Sequence, residues 1–216
     1  MSPSHMLYVT GGGWQDQVGG LYGGLKLGMT GKHELPMEVK VQQHHLILRT
    51  IKELNQRLIL LFMGQPRLAK NILRNVLKQW STRQNLILNT VKDLVEGAHE
   101  SVEALRNNDI CRLGRLLSIY WTKKKTMAGM DSGVEPALVR DVLQILKKNN
   151  VIVGGTLCGA GGGGFLVAVA EKGMTQKDAK QCIEMHASSL PTRNVDSFSW
   201  YDCEVSCDGL TSFIKE

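Results

Sequence analysis

The sequence predicts an α+β fold, with helices packed on a small antiparallel sheet and the tail of another unit ahead of them. Three observations carry this. Apolar residues recur at helical spacing in four segments between 68 and 146, and short apolar runs of strand length stand at 57–63 and on either side of the glycines in 151–170. Glycines cluster at 11–31 and 154–164 instead of spreading evenly. The chain has 216 residues, 43% hydrophobic and 21% charged, which is ample material for a core and excludes global disorder.

The elements follow in order. A glycine turn precedes a brief helix near Trp14–Leu21 and a glycine-broken strand at Leu25–Met29. Met37–Val41 alternates as a strand does, and Arg57–Met63 is a compact apolar strand. After Gly64-Gln-Pro66 the period changes. Leu68, Ile72, Leu73, Val76, Leu77 and Trp80 mark one helix, and Leu88, Val91, Leu94, Val95, Ala98 and Val102 a second. Ile110, Leu113, Leu116, Leu117 and Tyr120 mark a third. A fourth starts at Pro136, with Leu138, Val142, Leu143 and Leu146 inward. Strand, glycine loop and strand occupy 151–170, a helix runs over Gln176–Ser188, and a last strand over Phe198–Val205. The change of character at 50–65 divides a leading segment, 1–55, from a C-terminal domain, 56–216.

Composition narrows the function classes. Net charge is +6, a mild basic excess that suits an anionic small ligand. Arg67, Lys70, Arg74 and Lys78 form a basic stripe, but it lacks the interleaved aromatics of a nucleic-acid surface, so no nucleic-acid partner is expected. Five cysteines, an odd number, do not form a disulfide framework and fit a reducing cytoplasm. Cys203 and Cys207 have no second ligand pair to complete a zinc site, so no metal ligands are assigned. Residues 151–170 are uncharged over twenty positions, but seven are glycine, so two strands around a loop explain them better than a membrane span.

Two segments carry chemistry. Leu157-Cys-Gly-Ala-Gly-Gly-Gly-Gly-Phe-Leu166 places Gly159, Ala160, Gly161, Gly162, Gly163 and Gly164 between two apolar runs. Such a turn needs positive φ, and its successive N–H groups can form an anion-binding nest. A tight β–loop–β crossing that needs small residues only for packing is the plain alternative. The run lacks the Lys-Ser/Thr of a P-loop and the acidic partner of a dinucleotide fingerprint. The second segment, Thr10-Gly-Gly-Gly-Trp-Gln-Asp16, puts one carboxylate at a helix start among glycines. A carboxylate there can take a hydroxyl proton in phosphoryl transfer, or simply sit well in the helix dipole.

Together the two segments resemble a known family. LCGAGGGGF, 157–165, resembles the third signature of the GHMP kinases, and GGGWQDQ, 11–17, resembles the aspartate segment of that family's sugar kinases. The run 10–27, with Tyr120-Trp-Thr-Lys-Lys-Lys125 and 64–73, looks most like the L-fucose kinases within it. The likeness runs from about residue 6 to 216. It implies an ATP- and Mg²⁺-dependent kinase forming L-fucose 1-phosphate. Asp16 would be the catalytic aspartate, Gly159–Gly164 the phosphate loop, and Gly12, Gly13 and Arg67 substrate contacts. The family's Pro-x-Gly-x-Gly-Leu-Ser-Ser-Ser-Ala loop is absent. The resemblance therefore implies a C-terminal portion whose partner is a missing upstream kinase region. The alternative is a catalytically silent module that binds sugar or a partner.

Overall fold

The computed structural model describes residues 13–31, 38–64, 69–129, 132–190 and 197–211. Helix α1 (Gln15–Leu21) leads into the hairpin of β1 (Leu25–Thr30) and β2 (Val39–His44), paired antiparallel from Leu25 opposite His44 to Thr30 opposite Val39. Helix α2 (Leu48–Arg57) feeds directly into β3 (Leu58–Phe62). Three long helices follow: α3 (Ala69–Ser81), α4 (Asn85–Arg106) and α5 (Ile110–Ala128). Then come α6 (Ala137–Lys148), β4 (Ile152–Leu157), β5 (Phe165–Ala170) and α7 (Gln176–Met185). A short 3-10 turn (Ala187–Ser189) and β6 (Ser199–Tyr201) complete the order.

The four-stranded sheet has the order β4-β5-β3-β6 and is antiparallel throughout. Alternation in β3 sorts its residues by face. Ile59 and Leu61 are fully buried and meet Val139, Val142 and Leu146 of α6 and Ile183 of α7 in the main core. Leu58 turns to the opposite face, where a smaller core gathers Leu54, Leu105, Ile110 and Val169. Helix α5 crosses that face closely. A Cβ on Gly154 would lie 2.0 Å from the Gly114 carbonyl oxygen, so only glycines let helix and strand backbones touch here. Ser118, one turn on, accepts the Gly155 N–H at 3.3 Å.

Helix ends are set locally. Asp109 caps α5, its carboxylate accepting from the Arg112 N–H at 2.8 Å, and Thr175 and Asp178 form a reciprocal capping box on α7.

The α+β architecture is the one read from sequence, with local differences. No element was expected between Val41 and Arg57, yet α2 forms there, and two of its three buried residues, Thr50 and Arg57, are polar. Leu48, Ile51 and Leu54 stand three apart, a helical period that the reading passed over. Arg57 is satisfied within the fold by the Ala170 carbonyl at 2.9 Å, Glu53 at 3.0 Å and the Cys111 sulfur at 3.1 Å. The strand expected at Met37–Val41 lies at Val39–His44. The last strand shrinks to three residues, because the chain leaves the sheet to hydrogen-bond Asn55 through the Val205 N–H at 2.9 Å. The helix expected over Gln176–Ser188 stops at Met185 and tightens into the 3-10 turn. Leu77 and Val95, two of the residues whose spacing marked these helices, are 65% and 57% exposed. The uncharged stretch 151–170 is β4, loop and β5, and among the described residues no helix is long and apolar enough to cross a membrane.

Candidate functional site

The glycine loop closes the β4–β5 hairpin. The ladder ends at the Cys158 N–H, which donates to the Phe165 carbonyl at 2.8 Å. Gly159, Gly161, Gly162, Gly163 and Gly164 then all take positive φ, between 62° and 134°, so a β-carbon at any of them is strained. The loop does not stand away from the body. The Gly162 N–H donates to the Val134 carbonyl at 2.8 Å, and the Gly164 carbonyl accepts the Met63 N–H at 3.0 Å. A Cβ at Gly161 would strike Val134 and approach Trp121, and one at Gly162 would lie 2.6 Å from Ile72 Cδ1. Gly161 and Gly163 are buried and Ala160 packs on the main core, whereas Gly159 is exposed. The packing alternative holds at Gly161 and Gly162, and Gly159 is the loop glycine left exposed.

Helix α5 holds this loop from two sides. Its residues 120, 121 and 124 share a helical face by their spacing. The Lys124 ammonium donates to the Leu157 carbonyl at 2.9 Å and the Gly159 carbonyl at 2.6 Å, and lies 5.1 Å from both the Tyr120 and Trp121 ring centres. Trp121 is buried, and its indole N–H donates to Glu135 at 2.7 Å. Lys125 meets the same carboxylate at 2.9 and 3.1 Å. Glu135 follows Val134, the residue that accepts from Gly162, so the Trp121–Glu135 contact fixes the floor under the loop. Burial, and next the neighbouring Cys158, push the Tyr120 hydroxyl above its ordinary value. Burial, then Asp202 and Cys158, do the same to the Cys203 thiol.

Asp16 is exposed in the first turn of α1, a helix that buries none of its residues. A different set of contacts holds that segment. The Trp14 ring lies where a Cβ on Gly28 would sit, Lys26 donates to the Gly19 carbonyl at 3.1 Å, and the Gly24 N–H reaches the Ser206 carbonyl at 2.8 Å. Gly13 is exposed just ahead of α1. Gly12 and Arg67 lie outside the described residues. Of the basic stripe, Arg74 and Lys78 are exposed on α3.

Residues 101–187, from the end of α4 through the glycine loop to the 3-10 turn, match the family described as GHMP kinases C terminal. The chain belongs to the GHMP kinase superfamily. Two curated members are similar to it. One is the bifunctional fucokinase/GDP-fucose pyrophosphorylase of Arabidopsis thaliana, 34% identical over 197 residues. That alignment covers 91% of this chain and 18% of the relative. The other is the L-fucokinase/L-fucose-1-P guanylyltransferase of Bacteroides fragilis, 34% identical over 167 residues, covering 76% and 17%. This chain thus spans under a fifth of the length of either. Among solved structures, L. major mevalonate kinase in complex with R-mevalonate shares the fold at a TM-score of 0.60 and 18% identity, over 88% of this chain and 51% of that one. Lactococcus lactis galactokinase complexed with galactose does so at 0.50 and 15%, over 82% and 50%.

For a GHMP kinase chain, then, sequence reasoning found the loop but passed over the residues that hold it. Tyr120, Trp121 and Lys124 stood in a run whose resemblance was noted without a role. The available signal was their spacing: Trp121 and Lys124, three apart, must share a face.

Proposed function

We propose that this chain is the C-terminal part of an ATP-dependent sugar kinase acting on L-fucose at the anomeric hydroxyl. The observation that carries the reading is the 34% identity, along 91% of the chain, to a protein named as a fucokinase. On this reading residues 1–55 end the N-terminal kinase domain and 56–216 form the C-terminal domain. Asp16 accepts the proton of the sugar hydroxyl as its oxygen bonds to the γ-phosphorus. The bond from that phosphorus to the β,γ-bridging oxygen breaks, and ADP leaves. Gly159–Gly164 form the phosphate loop, with the exposed Gly159 at its entry, and Gly12, Gly13 and Arg67 contact the sugar. A carboxylate in the open first turn of α1 supports the role of Asp16, since it is not consumed by packing.

Magnesium entering with ATP would neutralise charge on the transferring phosphate. It takes most of its oxygens from phosphates and water, and among the described residues no group of three or more His, Cys, Asp or Glu side chains is placed to hold a metal ion.

A second reading has a specific observation behind it. The phosphate-cradling Pro-x-Gly-x-Gly-Leu-Ser-Ser-Ser-Ala loop is not in these 216 residues. A module that binds sugar or an upstream kinase region without turnover is consistent with that. ADP release from Mg-ATP with L-fucose, on this chain and on Asp16→Asn, separates the two. Fucose-dependent release lost in the variant supports the kinase. No release from the chain alone, with fucose binding seen by calorimetry, supports the module.

A further inference from the structure

Three consecutive lysines, Lys123, Lys124 and Lys125, lie in the last two turns of α5, and each meets a different partner. Lys123 pairs with Asp93 of α4 and Lys125 with Glu135, ordinary ion pairs that tie the helix to its neighbours. Lys124 instead lays its ammonium across the glycine-loop entry, against the carbonyls of Leu157 and Gly159. That entry is where the loop is open to solvent. Further along, Gly161 and Gly163 are buried and the Gly162 N–H is engaged by Val134. Gly159, the exposed glycine of the loop, is the one whose carbonyl Lys124 contacts.

We propose that Lys124 is an anion-binding residue of the glycine-loop site, its ammonium contacting phosphate oxygens of a phosphoanhydride bound at Gly159 and Ala160. The inference rests on the reading of the loop as phosphate-facing and adds a residue to it. Two features make the side chain suited to the task. Its stem and head are already ordered by the Tyr120 and Trp121 rings and by the two carbonyls, so little rotamer freedom remains to be lost on binding. A lysine ammonium is also a compact point charge with three rotating donors. It can shift from a carbonyl to an adjacent phosphate oxygen without moving its helix, and a charged acceptor makes the stronger hydrogen bond.

The test uses inorganic pyrophosphate as probe and the full 216-residue chain. Binding is measured by calorimetry for wild type, Lys124→Gln and Lys124→Arg, and hydrogen exchange of the 158–164 amides is followed in each. Gln keeps a donor for the carbonyls and removes the charge; Arg keeps the charge. The expected result is saturable binding by wild type, at least tenfold weaker binding by Lys124→Gln with loop protection unchanged, and binding within about threefold for Lys124→Arg. Equal affinity in wild type and Lys124→Gln overturns the proposal and leaves the loop reading intact. Affinity lost together with loop protection also overturns it, because Lys124 would then only brace the loop. No binding by wild type overturns the loop reading, and this proposal with it.

Discussion

Replacing Gly97 and, separately, Gly114 by alanine sets one substitution against two environments. Both lie inside long helices, Gly97 in α4 and Gly114 in α5, so both gain about 0.8–1.0 kcal/mol of helix propensity. At Gly97 a new Cβ finds nothing within 4 Å, and the gain stands alone. At Gly114 the same carbon would sit 2.7 Å from Val153 Cβ, 2.9 Å from its Cγ1 and 3.2 Å from Val169 Cβ. Carbon atoms rest at roughly 3.5–4.0 Å, so α5 must back away from the sheet by about 1 Å. Overpacking of this kind costs about 1–3 kcal/mol. Gly97→Ala is therefore expected to stabilise by about 1 kcal/mol. Gly114→Ala should be neutral to about 2 kcal/mol destabilising, with the two variants separated by about 1–3 kcal/mol because propensity cancels. For a chain of this size each kcal/mol moves Tm by about 2–4 °C, well within reach of urea and thermal unfolding followed by circular dichroism. Equal stabilisation by both alanines would refute the close crossing of α5 over β4, and with it the account of how Lys124 and Trp121 reach the loop.

Arg57→Ala removes the donor to the Ala170 carbonyl and leaves Glu53, which is itself 28% exposed, with only its hydrogen bond from Asn108, so a loss of about 2–3 kcal/mol in urea unfolding is expected; under 0.5 kcal/mol would count against the buried network. The side-chain and backbone hydrogen bonds from Thr175 hold the Asp178 carboxyl below its ordinary value. A lowered folded value means stabilisation present at neutral pH and lost as the pH falls through it. Asp178→Ala should thus cost about 1 kcal/mol at pH 7, and the gap to wild type should begin to close only as the pH falls below about 4, closing fully once it has passed the lowered folded value. Thiol labelling of the native chain should find exposed Cys207 first and Cys182 last, since Cys182 is 4% exposed and burial raises its thiol; prompt labelling of Cys182 by iodoacetamide would show α7 opening readily.

The parts of this fold legible in the sequence are those where one residue type answers to local geometry. Helix α6 was read from Leu138, Val142, Leu143 and Leu146, and all four are buried. The glycines of the loop were read as positive-φ positions, and five of them are. Helix α2 had its period in Leu48, Ile51 and Leu54; what the sequence hid was the burial of Arg57, recognisable only once Ala170, Glu53 and Cys111 are known to surround it. Leu77 and Val95 misled for the converse reason: a helical period gives a face, not the neighbour that covers it.

The lysines at 123–125 sharpen the point. They are chemically identical and adjacent, and a helix turns each by about 100° from the last. That rotation alone guarantees three different surroundings, and it was available from sequence. What rotation does not give is the distance from each head group to the next element. Here α5 lies close enough to the sheet for its middle lysine to reach the loop because Gly114 and Gly154 let the two backbones touch. Two glycines remote from the loop in sequence therefore decide whether a lysine contacts it. Widening that crossing should loosen the contacts of Lys124 with Leu157 and Gly159 while leaving the Lys123–Asp93 pair, made between helices rather than to the sheet, intact.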